Sequence, residues 1–92
     1  MNINKYNILL PIGSVVKLKG AIKPCMISTY LVENQNNKIK KYAAVPYPEG
    51  LMSIDNLILF DDEMIGEIIF TGYNSTIFKN YEKEIKKEIE KY

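Results

Sequence analysis

Short apolar runs separated by polar or turn-forming residues fill the first two thirds of the chain, and this pattern predicts β-strands. Residues 10–19 combine a turn opener, with Pro11 and Gly13, and a run of branched apolar side chains suited to a pleated surface. Residues 20–24 supply turn residues, and residues 25–32 predict a second strand. Because the connection is short, a hairpin is the simplest way to join the two.

Proline positions limit the third strand. The polar run at residues 33–37 predicts a solvated loop tip, and strand character resumes at residue 39. Pro46 and Pro48 lack backbone donors, so this strand must end near Val45. Residues 47–50 then predict a tight turn in which Gly50 takes a positive φ.

The next segment predicts strand, one helical turn and strand. Residues 57–60 form an apolar run, residues 61–64 have the acid-rich start of a helical turn, and residues 67–73 alternate. Gly13 and Gly72 are predicted, like Gly50 in the earlier turn, to occupy turn or bulge positions.

After Gly72 the apolar period changes to four residues. Ile77, Tyr81, Ile85 and Ile89 form one stripe, which predicts an amphipathic helix from about residue 75 to residue 91. Asn74 or Ser75 can cap its start. This stripe packs either on the domain's own sheet or on a partner, and the pattern does not decide between the two.

These elements predict an α+β fold, a small SH3-like β-barrel of about five antiparallel strands plus a C-terminal amphipathic helix. In this prediction a strongly bent sheet closes on itself and removes its edges. The boundaries are a single domain over residues 1–92, with the barrel over 9–73 and the helix over 75–91. Residues 1–9 are left as either a short helix or an arm.

Composition and charge exclude few kinds of partner, but they weaken the case for nucleic-acid binding. The 92 residues are 47% hydrophobic and 25% charged with a net charge of +1, as in an ordinary globular domain. All the basic residues are Lys, so the chain lacks Arg, the side chain best suited to bidentate recognition. Readout of nucleic-acid bases is therefore not expected. A nucleic-acid-binding barrel stays open as an alternative if six lysines converge on one face: Lys17, Lys19, Lys23, Lys38, Lys40 and Lys41.

No residue pattern points to catalysis, a metal or a cofactor. The single cysteine, Cys25, is expected to be a buried strand residue, and the chain has no His. The carboxylates of residues 61–63 are consecutive, unlike a calcium loop, and are expected to form a solvated helix start. Ser14, Cys25 and Lys23 lack a neighbouring base at a suitable spacing. The sequence therefore predicts a protein that is not an enzyme and binds no cofactor.

The seven tyrosines suggest protein contact, since Tyr offers apolar area with a polar tip. Tyr42 and Tyr47 flank the Pro-rich turn, where they either pack in the barrel or form a binding ridge. Candidate partner-binding residues are therefore Tyr42, Tyr47, Glu49 and Leu51 around this turn, or the helix stripe if it is free. The polar start of the chain and the absence of an apolar run of about 18 residues predict a cytosolic protein.

Three segments carry a family resemblance: Leu-Pro-Ile-Gly-Ser-Val-Val-Lys-Leu-Lys at residues 10–19, Tyr-Pro-Glu-Gly at 47–50 and Ile-Ile-Phe-Thr-Gly-Tyr at 68–73. In order and spacing they resemble a family of bacterial proteins labelled only as a domain of unknown function, number 4176, over about residues 9–73. The chain departs from the family's pattern at Lys41 and Thr71, where acidic residues are usual.

The resemblance implies a cytosolic accessory protein encoded beside the type VII secretion systems of Gram-positive bacteria. On that basis the expected function is an adaptor or chaperone that holds a secreted LXG-class toxin before export. The main alternative implied by the same neighbourhood is an immunity protein that blocks the toxin.

Overall fold

A computed structural model describes residues 9–91, in which five strands are followed by one helix. The strands are β1 (Val15–Leu18), β2 (Cys25–Glu33), β3 (Ile39–Pro46), β4 (Ile58–Phe60) and β5 (Ile65–Phe70), and the helix is α1 (Thr76–Ile89). One-turn 3-10 helices occupy Ile54–Asn56 and Asp62–Met64. Residues 1–8, on which the helix-or-arm alternative falls, lie outside the described part.

The predicted α+β fold is confirmed, with one correction to its closure. All strand pairs are antiparallel and the order across the sheet is β4-β3-β2-β1-β5. Only Asp61–Met64 separates the two edge strands, and five residue steps span at most about 18 Å. Four strand spacings in a flat sheet need about 19 Å, so the sheet must curl into a barrel-like shape. The sheet is nevertheless not closed, since β4 and β5 do not pair in the described chain.

The core fills the concave side of this curled sheet. Its members are buried side chains from four strands, from the segment before β1 and from the helix: Leu9, Leu10, Val16, Cys25, Ile27, Tyr30, Tyr42, Ala44, Phe60, Ile85 and Ile89. Cys25 is buried, as predicted. Aromatic rings contribute much of the volume, with the Tyr42 and Phe60 centroids 5.4 Å apart.

Helix α1 packs on its own sheet through Ile85 and Ile89 of its last two turns and through the partly buried Phe78 of its first turn. Ser75 caps it, with Oγ accepting a 3.0 Å hydrogen bond from the Phe78 N–H. Ile85 and Ile89 are buried in the core cluster, so this end of the stripe packs on the domain's own sheet. No helix within residues 9–91 combines the length and apolar character needed to cross a membrane.

The turn before β1 joins three parts of the fold. Gly13, at φ +92°, donates its N–H to the Ile27 carbonyl at 2.8 Å, and the Ile27 N–H returns a 2.8 Å bond to the Ser14 carbonyl. The positive φ predicted at Gly50 is also present, at +78°. Gly72 is needed for a different reason, because a Cβ there would collide with the backbone of Ile12 and Ser14.

Candidate functional site

An apolar groove lies where the turn before β1 meets the outer parts of β2 and β5. Its volume is about 360 Å³ and its lining consists of Gly13, Val15, Met26, Tyr47, Ile69 and Phe70. We call these six residues the β5 groove. The lining has no charged side chain, and Tyr47 supplies its one hydroxyl group, so the groove is suited to receiving an apolar group.

The Pro-rich turn places Tyr47 at this groove. The Tyr47 N–H donates to the Pro24 carbonyl at 3.1 Å, and the Gly50 N–H donates to the Pro46 carbonyl at 2.7 Å. Glu49 forms a 2.5 Å ion pair with Lys23, and the hydrogen bond from Lys23 lowers the pKa of the Glu49 carboxyl. The turn is thereby tied to the β1–β2 connection, and the half-exposed Tyr47 ring is held at the groove.

Tyr42, the other tyrosine of the predicted ridge, is in the core instead. Its side chain is 0% exposed, and its Oη accepts a 3.1 Å hydrogen bond from the Leu10 N–H. The neighbouring Tyr30 hydroxyl donates to the Leu10 carbonyl. Burial raises the pKa of both phenols. The proposed ridge is therefore wrong for Tyr42, whose polar tip is used to anchor the chain before β1.

The other predicted contact residues divide between surface and core. Leu51 is exposed in the segment after the Pro-rich turn. On the helix, Ile77 is 83% exposed and Tyr81 is half-exposed, with its ring centroid 6.1 Å from that of Tyr30. Ile85 and Ile89 are buried under the helix, so they are not available to a partner in this fold. Of the four stripe residues, Ile77 and Tyr81 in the first turns of the helix are therefore the ones exposed to a partner.

A buried charged cluster was missed by the sequence interpretation. Asp61, expected to be solvated, is 2% exposed, and it accepts a 2.9 Å hydrogen bond from the Lys41 N–H. The Lys41 side chain is 0% exposed, and its Nζ lies 2.6 Å from Asp62 Oδ2 and 5.1 Å from the centre of the Tyr42 ring. Burial lowers the pKa of the Lys41 ammonium, against the opposing effect of Asp62.

This cluster connects the middle of β3 to the connection between the two edge strands. The only available signal was a Lys next to Tyr42 at a position where an apolar strand residue would be expected, together with Asp61 directly after β4. The partner of neither residue can be recognised from the sequence, because the paired residues are about twenty positions apart. The cluster's geometry is that of a structural tie between β3 and the connection that follows β4.

Three of the six lysines of the alternative basic face are paired with carboxylates. Lys23 pairs with Glu49, Lys40 Nζ lies 3.5 Å from Asp61, and Lys41 is buried against Asp62. Half of the six lysines are therefore neutralised by nearby carboxylates, which weakens the case for a phosphate-binding surface. Within residues 9–91, no group of three or more acidic, His or Cys side chains could hold a metal ion.

Strand β5 exposes most of its length to solvent. The sequence predicted an alternating strand over residues 67–73, and the observed strand, Ile65–Phe70, has five exposed residues out of six. Ile68, Ile69 and Phe70 are each at least half exposed. The three consecutive apolar residues were the signal in the sequence for an unusual strand. Whether they are exposed depends on the position of β5 in the sheet, and the sequence pattern does not reveal that β5 is an edge strand.

Comparison with known proteins identifies a family but no characterised relative. The model of a family described as "Domain of unknown function (DUF4176)" matches residues 9–84. The chain therefore belongs to this family, and the match extends beyond the three motifs into helix α1. No curated protein and no solved structure matches the chain.

Proposed function

We propose that this DUF4176 protein is a non-catalytic, cytoplasmic adaptor or chaperone that binds an LXG-class toxin of a type VII secretion system before export. The partner class comes from the resemblance stated for the three motifs. The binding mode comes from the β5 groove, which we propose as the contact site.

The β5 groove supports a protein partner through its composition and its setting. It is apolar, it is lined by one large aromatic side chain from the Pro-rich turn and another from β5, and it adjoins an exposed apolar edge. Isolated exposed apolar residues are ordinary on proteins, whereas a contiguous apolar patch marks an interaction surface. Half-exposed Tyr and Phe side chains are typical anchors at the centre of such surfaces.

Co-expression with an LXG-class toxin from the same genome tests the proposal. We expect a complex that survives purification, in which the toxin keeps its activity. Tyr47→Ala removes an aromatic side chain from the groove and is expected to weaken the complex at least tenfold. Tyr73→Ala is the matched control, because Tyr73 is also exposed but does not line the groove.

Two outcomes would redirect the proposal. Absence of any complex with the wild-type protein contradicts the adaptor function. A complex in which the toxin is inactive supports the immunity alternative instead, since an immunity protein must block the toxin's active site. Thermal unfolding of both variants shows whether a loss of binding reflects the groove or a loss of the fold.

A further inference from the structure

We propose that the free edge of β5 binds its partner by strand addition, and that the added segment is extended, apolar at one end and basic at the other. This inference rests on the proposed function, since it specifies how the partner is held. Strand addition gives affinity through main-chain hydrogen bonds and specificity through alternate side chains.

The outer edge of β5 is unpaired within the described chain. β5 pairs with β1 on one side, from Val15 opposite Phe70 to Leu18 opposite Ile65 with two register shifts, and it ends the sheet on the other. Natural edge strands are commonly protected by Pro, by charged side chains, by β-bulges or by being very short. β5 has six residues without Pro or Lys, and its two register shifts and Glu67 guard the edge only in part, so unpaired main chain remains for another strand.

The chemistry along β5 changes from one end to the other. Its second half, Ile68 to Phe70, is apolar and exposed, and Ile69 and Phe70 also line the β5 groove. A strand added here therefore passes beside a groove that can hold one of its apolar side chains. The main-chain edge of β5 and the groove for a side chain therefore form one continuous binding surface.

The first half of the edge carries one acidic residue, Glu67, and Glu63 lies in the helical turn just before the strand. Both are exposed, and neither forms an ion pair with any residue of the described chain. Lys17 lies across from Glu67 on β1, but the two charges are not within ion-pair distance. A Lys or Arg side chain on the added strand would complement these carboxylates, because opposite charges on neighbouring strands stabilise the pairing.

A second copy of this chain fits the edge less well. Two β5 strands paired antiparallel about a twofold axis would place the acidic end of each against the apolar end of the other. No basic side chain of β5 would then meet Glu67. The edge therefore favours a partner of different sequence.

Amide hydrogen exchange on the complex with the co-expressed LXG-class toxin tests the inference. We expect β5 amides to become at least tenfold slower to exchange in the complex, while amides of the opposite edge strand, β4, stay unchanged. Glu67→Lys is expected to weaken the complex at least fivefold. Glu84→Lys makes the same charge change at an exposed helix position and is expected to alter affinity less than twofold.

The outcomes separate this inference from the proposed function. A stable complex that protects β4 or α1 and leaves β5 unchanged overturns strand addition at β5 alone. A complex that protects β5 equally well in Glu67→Lys overturns the basic partner segment. Protection of β5 in the toxin-free protein, with a dimer mass by light scattering, assigns the edge to a second copy. No complex with the wild-type protein overturns both proposals.

Discussion

The main-chain N–H of Gly72 donates a 2.9 Å hydrogen bond to Ser14 Oγ, which joins residues 58 positions apart. Ser14 is fully buried, and its hydroxyl in turn donates to the Pro11 carbonyl at 2.7 Å. The segment after β5 therefore lies directly on the turn that precedes β1. This close approach requires a residue without a side chain.

Replacing Gly72 is expected to be more costly than replacing Gly50. A Cβ on Gly72 would lie 2.9 Å from the Ser14 nitrogen and would overlap the Ile12 carbonyl oxygen. Gly72→Ala should lower the free energy of unfolding by about 2–3 kcal/mol, as overpacking does. Gly50→Ala meets open space but has φ +78°, so a cost of about 1–2 kcal/mol is expected. Urea unfolding of both variants checks the order, and the reverse order contradicts the assigned close approach.

Asp61 should contribute more to stability than its neighbour Glu63. The buried Asp61 carboxylate accepts the Lys41 N–H, and hydrogen bonds to charged groups contribute about 1.5–3 kcal/mol. Asp61→Ala is expected to lower the unfolding free energy by that amount. Glu63→Ala, at an exposed position two residues away, should stay within about 0.5 kcal/mol of wild type. Equal effects in urea unfolding would mean that Asp61 behaves as a solvated residue after all.

Local patterns predicted the elements of this fold well because each depends on short-range chemistry. The second strand was predicted over residues 25–32 and is observed at Cys25–Glu33, and the helix predicted over 75–91 is observed at Thr76–Ile89. Sheet closure was not predictable in the same way. It depends on whether β4 and β5 meet, and that pairing requires information about every intervening strand.

The candidate site was predictable only in part for a similar reason. Tyr47 was named from the Pro-rich turn and does line the groove, whereas Tyr42, named on the same grounds, is buried. The two residues differ in what the rest of the chain places over them, and no local pattern encodes that. The Lys41 pair with Asp62 was missed because its partners come from elements about twenty residues apart.

The helix stripe should divide into a stabilising end and a neutral end. Ile85 is 8% exposed and packs in the core, so Ile85→Ala is expected to lower the unfolding free energy by about 2–4 kcal/mol. Ile77→Ala makes the same change at a largely exposed residue. It should leave the unfolding free energy within about 0.5 kcal/mol of wild type, because little packing is lost there. Chemical unfolding followed by circular dichroism measures both. A neutral Ile85→Ala would mean that the helix does not depend on the sheet.

Nucleic acid should not bind saturably. Three of the six lysines proposed for the basic face, Lys23, Lys40 and Lys41, are each paired with a carboxylate, so that face has less free charge with which to release counterions. We expect no discrete shifted band with RNA or DNA in a mobility-shift assay at low salt. Saturable binding that weakens steeply with added salt would support the nucleic-acid-binding barrel in place of the adaptor.

Alkaline pH should destabilise the protein through its buried tyrosines. Burial raises the pKa of Tyr30 and Tyr42 above the ordinary phenol value, which is about 10. Above that pH an unfolded phenol loses its proton while the folded one keeps it, so the unfolded state binds fewer protons. The free energy of unfolding then falls as pH rises, by up to about 1.4 kcal/mol per pH unit for each tyrosine.

Comparing Tyr30→Phe with the wild type separates the effect of the buried tyrosine on pH-dependent stability from the effect of Lys41. Burial lowers the pKa of Lys41, so below its ordinary value the unfolded state binds more protons and stability rises with pH. Because Tyr30→Phe leaves Lys41 in place, the difference between variant and wild type cancels the lysine contribution. The variant should be about 1 kcal/mol less stable at pH 7, through loss of the hydrogen bond to Leu10, yet should lose stability less steeply above pH 10. Tyr73→Phe, at an exposed position, should leave the wild-type slope unchanged, and an unchanged slope in Tyr30→Phe would contradict the buried phenol as its cause.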